Sequence, residues 1–174
     1  MFPNAKKIAL ALVMVLGILS SGLAVSAAEA KTSKAITTAM ASKLKYLIQE
    51  EKLAYDLYVA IYEETGIRQF SNISRSELQH MAAVEKLLTK YGIKNPISKL
   101  EPGEFADPEL QKIYDDLLSS VTSTQSALEV GIAVEQLDIR DLEKMLEKTM
   151  PSAVKTTLTQ LLNASYQHLS AFSR

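Results

Sequence analysis

The sequence predicts an all-α protein, a bundle of four main helices with a longer link between the second and third. Three observations carry that reading. Apolar residues recur at three- and four-residue spacings almost throughout, and few stretches alternate as strands do. Only six Gly and five Pro interrupt the chain. The four periodic segments each carry at least one acid or histidine inside the apolar stripe.

The chain has 174 residues, enough for one domain behind a leader. Residues 1–30 read as that leader. Lys6 and Lys7 precede the apolar run IALALVMVLGILSSGLAV, and small residues then offer cleavage after Ala27, Ala28 or Ala30. Export to the periplasm, the exterior or the cell surface is expected. The same run is long enough to span a bilayer if uncut, which leaves an N-terminal anchor as the alternative. Residues 31–41 form a polar lead-in, and 42–174 the helical domain. There is no Cys, so disulfides and a lipid-modified leader cysteine are excluded, and stability rests on packing and on any bound metal. The formal net charge is −1, with acids and bases interspersed, so no nucleic-acid surface is expected. No membrane contact is expected beyond the leader.

The first helix is expected from about Ser42 to Glu64. Its stripe is Leu44, Leu47, Ile48, Glu51, Ala54, Tyr55, Tyr58, Ile61 and Tyr62, with Glu51 inward and Glu50 turned about 100° away. Gly66 is placed to cap its C-terminus. The second helix runs from about Phe70 to Tyr91, and its stripe includes Glu77 and His80. Gly92 and Pro96 close it. The link KNPISKLEPGEFADP, with three prolines, is long for a compact helical domain and is expected to cross outside the bundle. The third helix comes in two parts. Glu109 to about Ser120 is the first, and a Ser/Thr-rich stretch then bends or restarts the helix by capping. The second part, to about Lys148, has Leu128, Gly131, Ile132, Glu135, Asp138, Ile139, Leu142 and Met145 on one face. The fourth helix starts near Pro151, with Ser165 and His168 inward.

An isolated buried carboxylate costs several kcal/mol, so it persists only when paired, protonated or bound to a cation. Here every helix contributes an inward polar group: Glu51, then Glu77 and His80, then Glu135 and Asp138, then His168. Their heights agree with convergence on the third and fourth helices, and more loosely on the first and second, where Glu51 lies sixteen residues before the turn near Ile67 and Glu77 and His80 ten and thirteen after it. Glu135 lies fifteen residues before the turn near Met150 and Ser165 fifteen after it, with His168 one turn deeper. At a rise of ~1.5 Å per residue, antiparallel helices bring Glu135 and His168 to nearly one level. Glu77 and His80 share a helix face at a three-residue spacing. Carboxylates with imidazoles suit iron, manganese or zinc, and helical bundles build such sites from facing helices. Glu-x-x-His alone is a weak signal, and Asp138 reads equally as a solvated acid beside Arg140 and Asp141. Of the tyrosines, Tyr55 is expected nearest to Glu51. A hydrolytic triad has few possible members in a chain with two His and no Cys.

Four motifs carry a family resemblance: EEKLAYDLY (Glu50 to Tyr58), FSNISRSELQHMAAVEKLLTKYGI (Phe70 to Ile93), ALEVGIAVEQLDIRDL (Ala127 to Leu142) and SYQHLSAF (Ser165 to Phe172). Together they resemble the family labelled domain of unknown function 2202, in the ferritin-like superfamily. The resemblance spans about Leu44 to Phe172 in order. It implies a ferritin-like four-helix bundle, related to rubrerythrin-type proteins, holding di-iron or mononuclear iron, or manganese, with zinc as a further metal. Glu51 would be the ligand of the first helix, Glu77 a bridging carboxylate and His80 a terminal ligand. Glu135 would serve from the third helix and His168 from the fourth. One departure stands out: Ser165 occupies the position of a second bridging Glu, which leaves one metal, or two with Asp138 compensating. Redox chemistry with oxygen or peroxide is the implied activity, and a homodimer is compatible with it. The alternative is a non-enzymatic bundle that binds a protein or cell-envelope partner and uses the inward polar groups to fix helix register.

Overall fold

The computed structural model describes residues 36–174. The expected leader, its cleavage sites and residues 31–35 of the polar lead-in lie outside the described residues. Five α-helices and no strand occur among the described residues: α1 (Thr38–Thr65), α2 (Arg68–Lys90), α3 (Pro108–Ser120), α4 (Thr124–Leu146) and α5 (Ser152–Phe172).

Each boundary has a local cause. Thr37 caps α1 by accepting a 3.2 Å hydrogen bond from the Met40 amide, so the helix begins four residues before the expected Ser42. Gly66 ends α1 in the left-handed region at φ 69°, a conformation that needs no Cβ. The third helix is two helices. Ser123 and Ser126 form a reciprocal capping box, in which each hydroxyl accepts from the other's backbone N–H, at 3.1 and 2.9 Å. That box starts α4 afresh, and α3 is separate, with Asp107 as its own cap and Pro108 in its first turn. Pro151 is the N-cap of α5, one residue outside the helix.

The chief packing pairs are α1 with α2 and α4 with α5, joined by shorter contacts of α2 on α5 and α1 on α4; α3 lies against α1 and α4. The apolar interior falls into two clusters. One is built around Leu57, Tyr58, Ile61, Phe70, Val130 and Phe172, the other around Leu44, Leu47, Leu88, Leu142, Leu158 and Leu161. On α1, α2, α4 and α5 alike, the passage from one cluster to the other occurs at polar residues. Glu51 separates Ile48 from Leu53, and Glu77 with His80 separates Ile73 from Val84. Glu135 and Asp138 lie between Val134 and Leu142, and Ser165 and His168 between Leu161 and Phe172. A polar layer therefore crosses the core on all four.

The stripe of α1 was read too narrowly. Tyr62 is exposed and Tyr55 half-buried, whereas Gln49, Glu50, Lys52 and Asp56 are buried on a second face. That face holds the long link. Lys52 pairs with Asp56 and donates to the Glu101 carbonyl at 2.9 Å, while Asp56 accepts from the Gly103 amide at 2.8 Å. Gln49 Oε1 accepts from both the Ala106 and Asp107 amides at 3.1 Å. The link crosses α1 as an anchored strap, with Phe105 buried beneath the chain.

Candidate metal centre

Glu51, Glu77, His80, Glu135 and His168 are all buried and all meet in the polar layer. Glu77 is central. Its Oε2 lies 2.8 Å from His80 Nδ1, and its Oε1 lies 2.8 Å from His168 Nδ1. His80 Nδ1 also reaches Glu51 Oε2 at 3.2 Å, and His168 Nδ1 lies 3.5 Å from Glu135 Oε2. The two imidazoles stack with centroids 5.6 Å apart and planes 24° from parallel. Two groups result, Glu51–Glu77–His80 and Glu77–Glu135–His168, each with donor atoms within 4.8 Å of one another. Glu77 belongs to both, and offers a different oxygen to each imidazole.

Asp138 is drawn into the layer as well. Ser165 Oγ lies 2.5 Å from Asp138 Oδ2 and 3.0 Å from the Leu161 carbonyl, so its single proton faces two acceptors. Asp138 thus meets Ser165, the residue that stands where the family resemblance implies a second bridging Glu. Tyr58, and not Tyr55, is the tyrosine of the site: it is fully buried and donates to Glu135 Oε1 at 2.7 Å. Tyr58 stands seven residues, two turns, after Glu51 on the same stripe, and that spacing was the available signal.

Glu50 was placed away from the interior by its 100° rotation, yet it is only 6% exposed. α3 and α4 cover this second face of α1, which helix periodicity in α1 alone does not report. Glu50 lines a small cavity together with Glu51, Glu77, Glu135 and Asp138. The cavity has about 10 Å³, close to the room one water-sized occupant needs.

The electrostatics of the metal-free site show a surplus of acid. Burial raises the Glu51 carboxyl well above its usual range, and Asp138 adds to the effect. Burial likewise lifts Glu135 to about 7 and Asp138 to about 6. Glu50 is raised by burial and then by Asp138 and Asp141. Burial opposes ionisation of Glu77 too, but His168 and His80 hold it down at about 2. Burial acts to lower both imidazoles; their carboxylate partners overcome it and raise His80 to about 11 and His168 to about 9.

Three buried carboxylates, Glu51, Glu77 and Glu135, therefore share two imidazoles, with Glu50 and Asp138 beside them on the cavity wall. The unpartnered atoms are Glu50 Oε1, Glu51 Oε1, Glu77 Oε1, Asp138 Oδ1 and His168 Nδ1. Among the described residues, these are all the buried side-chain polar atoms that lack a hydrogen bond, and all belong to this one cluster. Glu77 Oε1 and His168 Nδ1 are close to each other and still not aligned as donor and acceptor. Donor atoms that crowd together without pointing at one another are arranged as ligands around a common centre. A cation would satisfy them, so the residues fit a metal.

Fold and site together define an all-helical protein whose buried acidic and histidine groups can hold a metal ion. Within that class, the chain belongs to the family described as Uncharacterized protein domain (DUF2202), whose profile matches residues 41–174. The chain is 39% identical over 127 residues to Uncharacterized protein MJ0754 of Methanocaldococcus jannaschii, a match covering 72% of this chain and 69% of the relative. It is also similar to the crystal structure of hypothetical protein MJ0754 from Methanococcus jannaschii, with a TM-score of 0.77 and 37% identity over 79% of each chain.

Proposed function

We propose that the protein is a ferritin-like carboxylate metalloprotein, with α1, α2, α4 and α5 as the four helices of the bundle, and that it binds two divalent cations. Glu51, Glu77 and His80 would hold the first ion, and Glu77, Glu135 and His168 the second. Glu77 would serve both, and the observation that carries the reading is its two oxygens turned to two different imidazoles. Ferritin-like di-metal sites take a Glu from each of two helices and a Glu-x-x-His from each of the other two. This chain supplies Glu51, Glu135 and one Glu77-x-x-His80, with Asp138 held by Ser165 in place of the second bridge. The oxygen-rich, imidazole-containing donor set favours iron or manganese, with zinc as a competitor. Bound iron or manganese would supply one-electron redox chemistry toward oxygen or peroxide. The chain's own part is to fix the ligands in a buried layer between two apolar clusters, with the Tyr58 hydroxyl holding Glu135 in place. The leader motif supports export, so the metal would be met outside the cytoplasm or in transit.

Elemental analysis of protein purified without chelator, followed by anaerobic Fe(II) and Mn(II) titration, tests the reading. Two equivalents per chain are expected. His80→Ala and His168→Ala should each lose one ion, whereas Glu77→Ala should weaken both sites. Wild-type protein that takes up no transition metal would leave the second reading. In that reading, the His80 and His168 ion pairs with Glu77 form a structural polar layer that sets helix register.

A further inference from the structure

Glu50 belongs to neither triad, and its position is otherwise unexplained. It is 6% exposed, and its Oε1 has no hydrogen-bond partner. It lines the inner cavity beside Asp138 and Glu51. It also lines a separate, outward pocket of about 370 Å³ with Tyr46, Lys43 and Asp141. Glu50 is the only residue common to the walls of both. Asp141 is partly exposed at the outer side, where Lys144 approaches it at 3.1 Å. Asp138 lies on the inner side, with a second unpartnered carboxylate oxygen. Three carboxylates thus lead from the surface to the ligands: Asp141 outside, Glu50 at the partition, Asp138 within.

We propose that Glu50 is a transfer carboxylate, which accepts a divalent cation from the outer pocket and passes it to the inner site. This rests on the two-ion reading of that site. A buried carboxylate with one unpartnered oxygen, on the walls of two cavities, has a side chain long enough to serve each in turn. Acidic clefts with low-dielectric walls raise the local concentration of cations and speed their entry by factors of ten or more. Lys43 at the outer rim and Lys144 beside Asp141 oppose that field, so the entrance depends on Asp141 and Glu50.

The test is stopped-flow loading of the full metal-free protein with Co(II) alone, followed by its visible absorption, together with the final stoichiometry. Glu50→Gln keeps the shape and removes the charge. It should load at least about tenfold more slowly, yet reach the wild-type stoichiometry and end spectrum. Asp141→Asn, at a partly exposed position that the fold tolerates, should also slow loading and serves as the decisive variant if Glu50→Gln does not fold. Loading of Glu50→Gln at the wild-type rate would overturn the transfer role while leaving the two-ion site intact. Reduced stoichiometry or a changed spectrum would overturn it differently, by making Glu50 a ligand. A wild-type protein that never binds Co(II) would sink the two-ion reading itself.

Discussion

Ser165 shows how one hydroxyl holds an acid within the polar layer. Its hydroxyl lies against Asp138, whose other oxygen is buried without a partner. Ser165→Ala would leave both Asp138 oxygens unsatisfied, so the metal-free protein should lose about 1–3 kcal/mol in urea unfolding. Tyr58→Phe removes the hydrogen bond on Glu135 Oε1 and should cost a similar ~1–3 kcal/mol, with little effect on the helical circular dichroism. An unchanged urea midpoint in both would mean that neither hydroxyl holds its acid. At this scale the sequence was legible wherever a group shares the apolar stripe, as Glu51, Glu77, His80, Glu135 and His168 do. The burial of Glu50 is not legible in α1 because the elements that bury it are α3 and α4, more than fifty residues away. Spacing along α1 favours Tyr55, one turn from Glu51, over Tyr58, because the bonding partner of Tyr58 is on another helix.

The helices themselves are held at distances their small and polar residues permit. A Cβ added at Gly131 would lie 2.8 Å from the Phe172 ring, which packs in turn on Tyr58 and Phe70. Gly131→Ala must therefore push α4 and α5 apart and should destabilise by about 1–3 kcal/mol. Adding Phe172→Leu should recover part of that loss, and a double-mutant cycle of urea midpoints measures the coupling. A cycle with no coupling would show that the contact does not set the helix spacing. On α1, the buried pair Lys52 and Asp56 fixes the strap of residues 101–107. Asp56→Ala leaves a buried cation unpaired and should cost about 3–5 kcal/mol by thermal or urea unfolding. Lys52→Met with Asp56→Leu should restore much of it, since apolar groups of similar size often replace a buried pair without loss. Periodicity located the helices to within a few residues and anticipated the restart at the Ser/Thr stretch. It did not reveal the strap's anchors, because Gln49, Lys52 and Asp56 find their partners about fifty residues along the chain, and spacing within a helix carries no sign of them.

Across the whole molecule, the polar layer divides the core, so its protonation must set how stability depends on pH. In the metal-free protein, His80 is raised from its ordinary 6.5 to about 11 and His168 to about 9. Glu135 rises from 4.5 to about 7 and Asp138 from 3.8 to about 6. In each case the folded state holds the proton more tightly than the unfolded chain. Such a group stabilises fully below its unfolded value, and the contribution fades as pH climbs through the folded one. Glu77, lowered from 4.5 to about 2, acts in the opposite sense: its contribution is present above 4.5 and disappears as the medium is acidified toward 2. The metal-free melting temperature should therefore be highest in mild acid and decline from pH 5 to pH 9. A cation reverses the trend, because it needs neutral imidazole and ionised carboxylate and competes with the same protons. Its stabilisation follows the free metal over the dissociation constant, about 2.7 kcal/mol at a hundredfold excess. With Mn(II) present, the gap between loaded and metal-free melting temperatures should widen steadily over the same interval, and uptake at neutral pH should release protons measurable in weak buffer. A constant gap would mean that bound metal and bound protons do not share these residues, and the ligand assignment in the layer would fall with it.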